Sequence, residues 1–177
     1  MTSVVVCLAE VVRASAREVL ASYSFPTSAR GAVDPAVADR TYASSIGYSG
    51  LSVRGAIVLV APAFTWGFLL HEAFDLDAGV RPAEAALADV AAEVANLVAG
   101  QAKRHLSARG FDIAVALPTA TSGVDLRDGP PSTQWIELAV GPTVLRVGSV
   151  AAADPSLVVE DAPRPPTRFE TSGLLLL

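Results

Sequence analysis

Residues 89–103, D-V-A-A-E-V-A-N-L-V-A-G-Q-A-K, decide how the chain is read. The run is rich in Ala and Val, yet it carries an acid, a second acid four residues on, an amide three further and then a glycine. At about 100° per residue, Leu87, Val90, Val94, Leu97, Val98 and Gln101 fall in one sector, the expected core stripe. Asp89, Glu93, Asn96 and Gly100 fall in an adjacent sector about 60° wide, bordered by Lys103. A solvated helix face accounts for the acids. It accounts less well for Asn96, a poor helix former, or for Gly100, which costs roughly 1 kcal/mol relative to Ala inside a helix. Close approach of a backbone at Gly100, from this chain or from a partner, is the expectation. Glu-x-x-Asn alone is common by chance on helices.

Working outward, Pro82 suits a helix start and Gly110 a stop, so one long helix is predicted over 83–108. Residues 4–23 place Leu8, Val11, Val12, Ser15 and Val19 at helical spacing, with Arg13, Arg17 and Glu18 on other faces. Residues 24–40 hold two prolines, Gly31 and small polar residues and read as a loop. Ile46 and Tyr48 then alternate with small residues, Gly50 allows a tight turn, and 53–60 is a β-branched run; together they predict a hairpin. Pro62 opens a helix over about 63–74 that turns Phe64, Phe68 and Leu69 or Leu70 inward and leaves Trp66 partly exposed.

A short acidic turn spans 75–80. Ile113, Val115 and Leu117 alternate over 112–117 and predict a strand, 118–123 a turn, and D-G-P-P-S at 128–132 a loop. Two further strands, 134–140 and 143–150, are joined by Gly141-Pro142. Strands joined by short links are antiparallel. The economical architecture is α+β: a mostly antiparallel sheet with helices packed on one face. Residues 1–153 are expected to form one domain. Residues 154–177, with P-R-P-P-T and four terminal leucines, are expected to form a tail, or an arm that packs on the body.

Composition narrows the function. The 177 residues are 51% hydrophobic and 18% charged, enough for one globular core. No apolar run nears the ~20 residues of a membrane span. No basic segment precedes an apolar one at the start, so no signal peptide is expected. The single Cys7 cannot form an internal disulfide and fits a reducing cytoplasm, the expected location. The net charge is −5 with no basic stripe, so nucleic acid is not an expected partner. His71 and His105 have no second ligand type at a metal-like spacing, and no metal site is expected. Phosphate loops and nucleophile elbows are missing from the sequence.

The segment 89–106, followed by F-D-I-A-V-A-L-P-T-A-T-S-G at 111–123, resembles the signature of the CheX phosphatases, of the CheC, CheX and FliY group of bacterial chemotaxis proteins. That pattern is Asp-x-x-x-Glu-x-x-Asn-x-x-x-Gly, a helix end, a strand, then Pro-Thr and a nearby Gly. Asp89, Glu93, Asn96, Gly100, Pro118, Thr119 and Gly123 stand at the matching positions. The resemblance covers about residues 3–150 and not the tail.

It implies a CheX-like fold and an enzyme of two-component signalling that hydrolyses the aspartyl phosphate of a CheY-type response regulator. Asn96 would orient the attacking water and Glu93 would hold the regulator's lysine. Gly100 would lie against the partner, and Asp89 is either a further contact or a solvated helix aspartate. The metal, Mg²⁺, would belong to the regulator, with no cofactor of this chain's own. The resemblance also implies a homodimer formed by joining sheets. A second reading stays open: a CheX-like domain that binds a regulator, or builds a scaffold, and hydrolyses nothing. The presence of both Glu93 and Asn96 favours the enzyme. The unmatched tail, which could cover the ridge, keeps the binding module in play.

Overall fold

The alternating segment that predicts a hairpin is the middle of the fold, and it is longer than its apolar signal. The computed structural model describes residues 2–23, 40–77, 79–124, 132–153 and 158–159. The loop expected over 24–40 (but for Arg40), the one at 128–132 (but for Ser132) and the tail (but for 158–159) lie outside the described residues. The elements are β1 (Thr2–Ser3), α1 (Val4–Ala21), β2 (Thr41–Gly50), β3 (Val53–Pro62), α2 (Ala63–Phe74), α3 (Glu84–Ser107), β4 (Ile113–Val115), β5 (Thr119–Ser122), β6 (Gln134–Val140), β7 (Thr143–Ala153) and β8 (Val158–Val159). The main sheet runs β4-β2-β3-β7-β6, with β5 also paired to β2, and every pairing in it is antiparallel.

Register explains the layering. Ile46 sits opposite Ile57, Ser44 opposite Leu59 and Tyr42 opposite Ala61, while Leu59 faces Val147 on β7. All of these are buried, whereas Ser45, Gly47, Ala56 and Val58, one residue out of phase, are only partly so. Such alternation is what a sheet covered on one face requires. Leu8 and Val11 of α1, Trp66 and Phe68 of α2, and Leu87, Val94 and Val98 of α3 complete the same apolar cluster. The fold is α+β, with helices over an antiparallel sheet.

Four details depart from the sequence-based expectation. Trp66 is fully buried rather than partly exposed. Its indole N–H donates to the carbonyls of Tyr42 (3.3 Å) and Ala61 (3.2 Å), so no polar atom of the ring needs water. The strand expected over 112–117 ends at Val115, leaving Leu117 exposed, and residues 119–122 form β5 instead of a turn. Pro118 has no N–H to donate to a ladder, so the edge is split into two short strands on either side of it. Gly50 serves packing, not a left-handed turn: a Cβ there would lie 2.5 Å from the Asp112 carbonyl oxygen. Beyond residue 153, Val158 and Val159 pair with Ser3 and Thr2. Among the described residues no helix is long and apolar enough to cross a membrane.

Candidate functional site

The long helix α3 is held to the body in three ways, and among the described residues the ridge is what remains free. Its buried arc comprises Leu87, Val90, Ala91, Val94, Ala95, Val98, Ala99, Ala102 and Leu106. The four alanines matter because their small side chains let the helix axis come close to β2 and α1. They also rotate the buried arc away from the stripe expected from Leu and Val alone. Leu97, expected in the core, therefore stands at the margin with 41% of its surface exposed. Gln101, expected beside it, is half-buried and makes polar contacts instead.

The first turn of α3 is tied to the sheet through Glu84. Its carboxylate accepts hydrogen bonds from Arg40 (2.7 Å) and from Ser122 (2.8 Å). These contacts, the Ser122 hydroxyl first, hold the Glu84 carboxyl below its ordinary range. The last turns are tied to α1 through Glu18. His105 lies 3.0 Å from each Glu18 carboxylate oxygen, and the Gln101 amide also donates to that carboxylate. Arg104 in turn donates to the Gln101 carbonyl oxygen. The His105 contact, then Gln101, lowers the Glu18 carboxyl pKa. Phe111 N–H bonds back to the Leu106 carbonyl, and Gly110, at φ 84°, turns the chain out of the helix as expected.

Between these anchors Asp89, Glu93, Asn96 and Gly100 are all exposed and share one side of the helix, as the wheel predicts. Asp89 to Gly100 spans roughly 16 Å of axis. Among the described residues, the side chains of Asp89, Glu93 and Asn96 make no hydrogen bond or ion pair. A Cβ on Gly100 would meet nothing within 4 Å, so no described part of this chain makes the close approach expected there. Pro118 precedes β5 and Thr119 begins it, where the Thr119 hydroxyl is 3.0 Å from that of Ser45.

Tyr23, just past α1, is a neighbour that sequence spacing could not indicate. Its phenol pKa is raised by burial and further by the Glu93 carboxylate, which places it within electrostatic reach of the ridge. His71 and Cys7 are buried away from solvent. Among the described residues no group of three or more His, Cys, Asp and Glu could hold a metal ion.

Chemically, then, the site is a helix edge, anchored at both ends, that offers a carboxylate and a neutral amide one turn apart. Such an edge can enter a cleft on another molecule. The amide can donate and accept at once, and the carboxylate can hold a cation.

Neither a protein-family model nor a curated protein matches the sequence. Solved structures do, and they define the class: the chain has the CheX-like fold of bacterial chemotaxis proteins. It is similar to the chemotaxis protein CheX from Vibrio vulnificus, with a TM-score of 0.64 at 19% identity over 85% of this chain and 100% of that one. It is similar to a chain in the CheX–CheY–BeF3–Mg²⁺ complex from Borrelia burgdorferi, with a TM-score of 0.60 at 17% identity over 80% of this chain and 96% of that one. CheX from Desulfovibrio desulfuricans gives 0.63 at 16% identity over 82% and 99%. At these identities the likeness is one of fold.

Proposed function

We propose that this chain is a response-regulator phosphatase of bacterial chemotaxis or a related two-component pathway, acting on the aspartyl phosphate of a CheY-type protein. The observation that carries the reading is the exposed Glu93–Asn96 pair on a helix anchored at both ends, within a CheX-like fold. The Borrelia burgdorferi complex of CheX with CheY lends support, because it pairs a protein of this fold with such a regulator.

In the reaction, a water oxygen bonds to phosphorus as the bond to the aspartyl oxygen breaks. The regulator's carboxylate and inorganic phosphate are the products, and a proton goes to solvent. An acyl phosphate is already activated, so placing the water in line supplies much of the rate. Asn96 does this with a neutral amide: its carbonyl accepts from the water and its NH2 donates to a phosphoryl oxygen, adding no negative charge beside the phosphoryl group. Glu93 holds the regulator's lysine at the rim. Asp89 and Gly100 lie along the same contact. Mg²⁺ belongs to the regulator's own site, and this chain contributes no cofactor. The work is cytoplasmic. The chain pairs as a homodimer through sheet edges, for which β6 offers a strand with a described partner on one side only.

Phosphate release from a phosphorylated CheY-type regulator, with and without this protein, tests the reading. A regulator bound but not dephosphorylated faster would assign the chain to the binding-module alternative.

A further inference from the structure

The row of side chains four apart that carries Glu93 is Asp89, Glu93, Leu97, Gln101 and His105, a natural ridge of the α3 surface. Its last two members lie against α1, where both contact Glu18. The row therefore follows the α1 side of the helix, and what stands beside Glu93 is decided by where α1 ends.

The sheet sets the direction of the two helices. α3 runs with β2: Glu84 bonds Arg40, just before that strand, and Ile113, soon after the helix, pairs with Gly50 at the strand's end. α1 runs with β6, since Val12 shares a cleft with Gln134 and Leu20 shares another with Leu138. Three antiparallel pairings separate β2 from β6, so α1 and α3 run in opposite directions. From Glu18, α1 advances toward the start of α3. The chain keeps coiling past its end: Ser22 N–H bonds to the Glu18 carbonyl (3.2 Å) and Tyr23 N–H to that of Leu20 (3.2 Å). Tyr23 thus stands about 7.5 Å beyond Glu18 along the axis, while Glu93 stands about 12 Å before Gln101. The remaining gap of about 4.5 Å is within the length of a tyrosine side chain.

Tyr23 is half-buried and packs against the apolar cluster. Burial first, and the Glu93 carboxylate second, push its ionisation up, so the phenol keeps its proton and stays a donor. A carboxylate offers about four acceptor sites. Docked against a lysine and withdrawn from water, Glu93 needs a second donor, because a desolvated charge is costly unless it is hydrogen-bonded. A glutamate side chain must also give up rotamer freedom to hold one direction.

Resting on the phosphatase reading above, we infer that Tyr23 is a positioning residue for Glu93: in the complex with the regulator its O–H donates to the Glu93 carboxylate and holds it toward the partner's lysine. The docking group is then a Tyr–Glu pair drawn from two helices. Tyr23 touches no reacting atom, and the water stays with Asn96.

The test is a double-mutant cycle on the full chain, read as affinity for a CheY-type regulator held active by beryllofluoride and Mg²⁺. Tyr23→Phe keeps the ring and should weaken binding roughly three- to tenfold. In a Glu93→Ala background the same change should alter affinity by less than about 1.5-fold, because its effect runs through that carboxylate. In turnover of the phosphorylated regulator the loss should fall in KM and not in kcat. A merely structural tyrosine would give the same loss in both backgrounds. Equal losses with and without Glu93, or wild-type affinity in Tyr23→Phe, overturn the inference and leave the phosphatase reading standing. If the wild-type chain neither binds nor dephosphorylates the regulator, the phosphatase reading falls, and this inference with it.

Discussion

Reversing the charge at Glu93 separates docking from folding. The side chain is exposed and, among the described residues, has no hydrogen bond or ion pair, with the Tyr23 phenol as its described electrostatic neighbour. Glu93→Lys should therefore change stability by no more than about 0.5 kcal/mol, a melting shift within about 2 °C. In the complex the same change should be large. An exposed ion pair contributes about 0.2–1 kcal/mol. Two like charges about 4 Å apart repel by about 1 kcal/mol in bulk water and about 4 kcal/mol at an effective dielectric of 20. Losing the first and adding the second weakens binding by roughly 10- to 4 × 10³-fold.

The assay is titration of the beryllofluoride-activated regulator with wild type, Glu93→Lys and Glu93→Gln, each beside a thermal unfolding curve. Glu93→Gln should fall between the other two, since its amide still accepts from a lysine. Raising the salt should narrow the gap, because exposed charges are screened. Equal affinity for wild type and Glu93→Lys would remove the docking role. A large drop in melting temperature would instead make Glu93 a structural residue of this chain.

Two more outcomes follow from the anchors and the tail. Folding lowers the pKa of both Glu18 and Glu84 from 4.5, so the folded state binds fewer protons. Their stabilisation is full above that value and is lost as pH falls through the folded pKa values. A melting series from about pH 6 to about pH 3 should show an acid limb that is shallower in Glu18→Gln and Glu84→Gln, and parallel limbs would contradict this. Ending the chain after Ala153 removes β8, whose described pairing is with Thr2–Ser3, and leaves the main sheet whole. That truncation should melt within a few degrees of wild type, and a fall of more than about 10 °C would place later residues in the core.

The parts legible in sequence are those set by local periodicity. The long helix, its polar ridge and the Gly110 stop follow from side-chain spacing and from one residue's freedom to adopt a positive φ. The hairpins follow from alternation and turn residues. What escaped the reading depends on partners distant in sequence. Trp66 is buried with its N–H on the carbonyls of Ala61, five residues back, and of Tyr42, 24 residues back on the paired strand, which only the fold brings there. β5 is exposed along its whole length, so it has no apolar rhythm to betray a strand; only its pairing with β2 makes it one.

Leu97 stands outside the core stripe that hydropathy predicts, because hydropathy weights alanine weakly, whereas Ala91, Ala95, Ala99 and Ala102 pack completely and draw the buried arc toward themselves. The Glu18–His105 tie joins residues 87 apart and has no sequence signal at all. The ridge was legible because it lies on one helix. The anchors that hold it were not, because each joins two elements.

The central claim is that Asn96 orients the water. The direct measurement is phosphate release from a phosphorylated CheY-type regulator in the presence of wild type or Asn96→Ala, with binding of the beryllofluoride-activated regulator followed in parallel. Ala suits an exposed helix position, so the variant should fold and bind as wild type does. Its acceleration of phosphate release should fall roughly 10²-fold or more, toward the regulator's own rate. Turnover by Asn96→Ala close to that of wild type, at equal binding, would contradict the account.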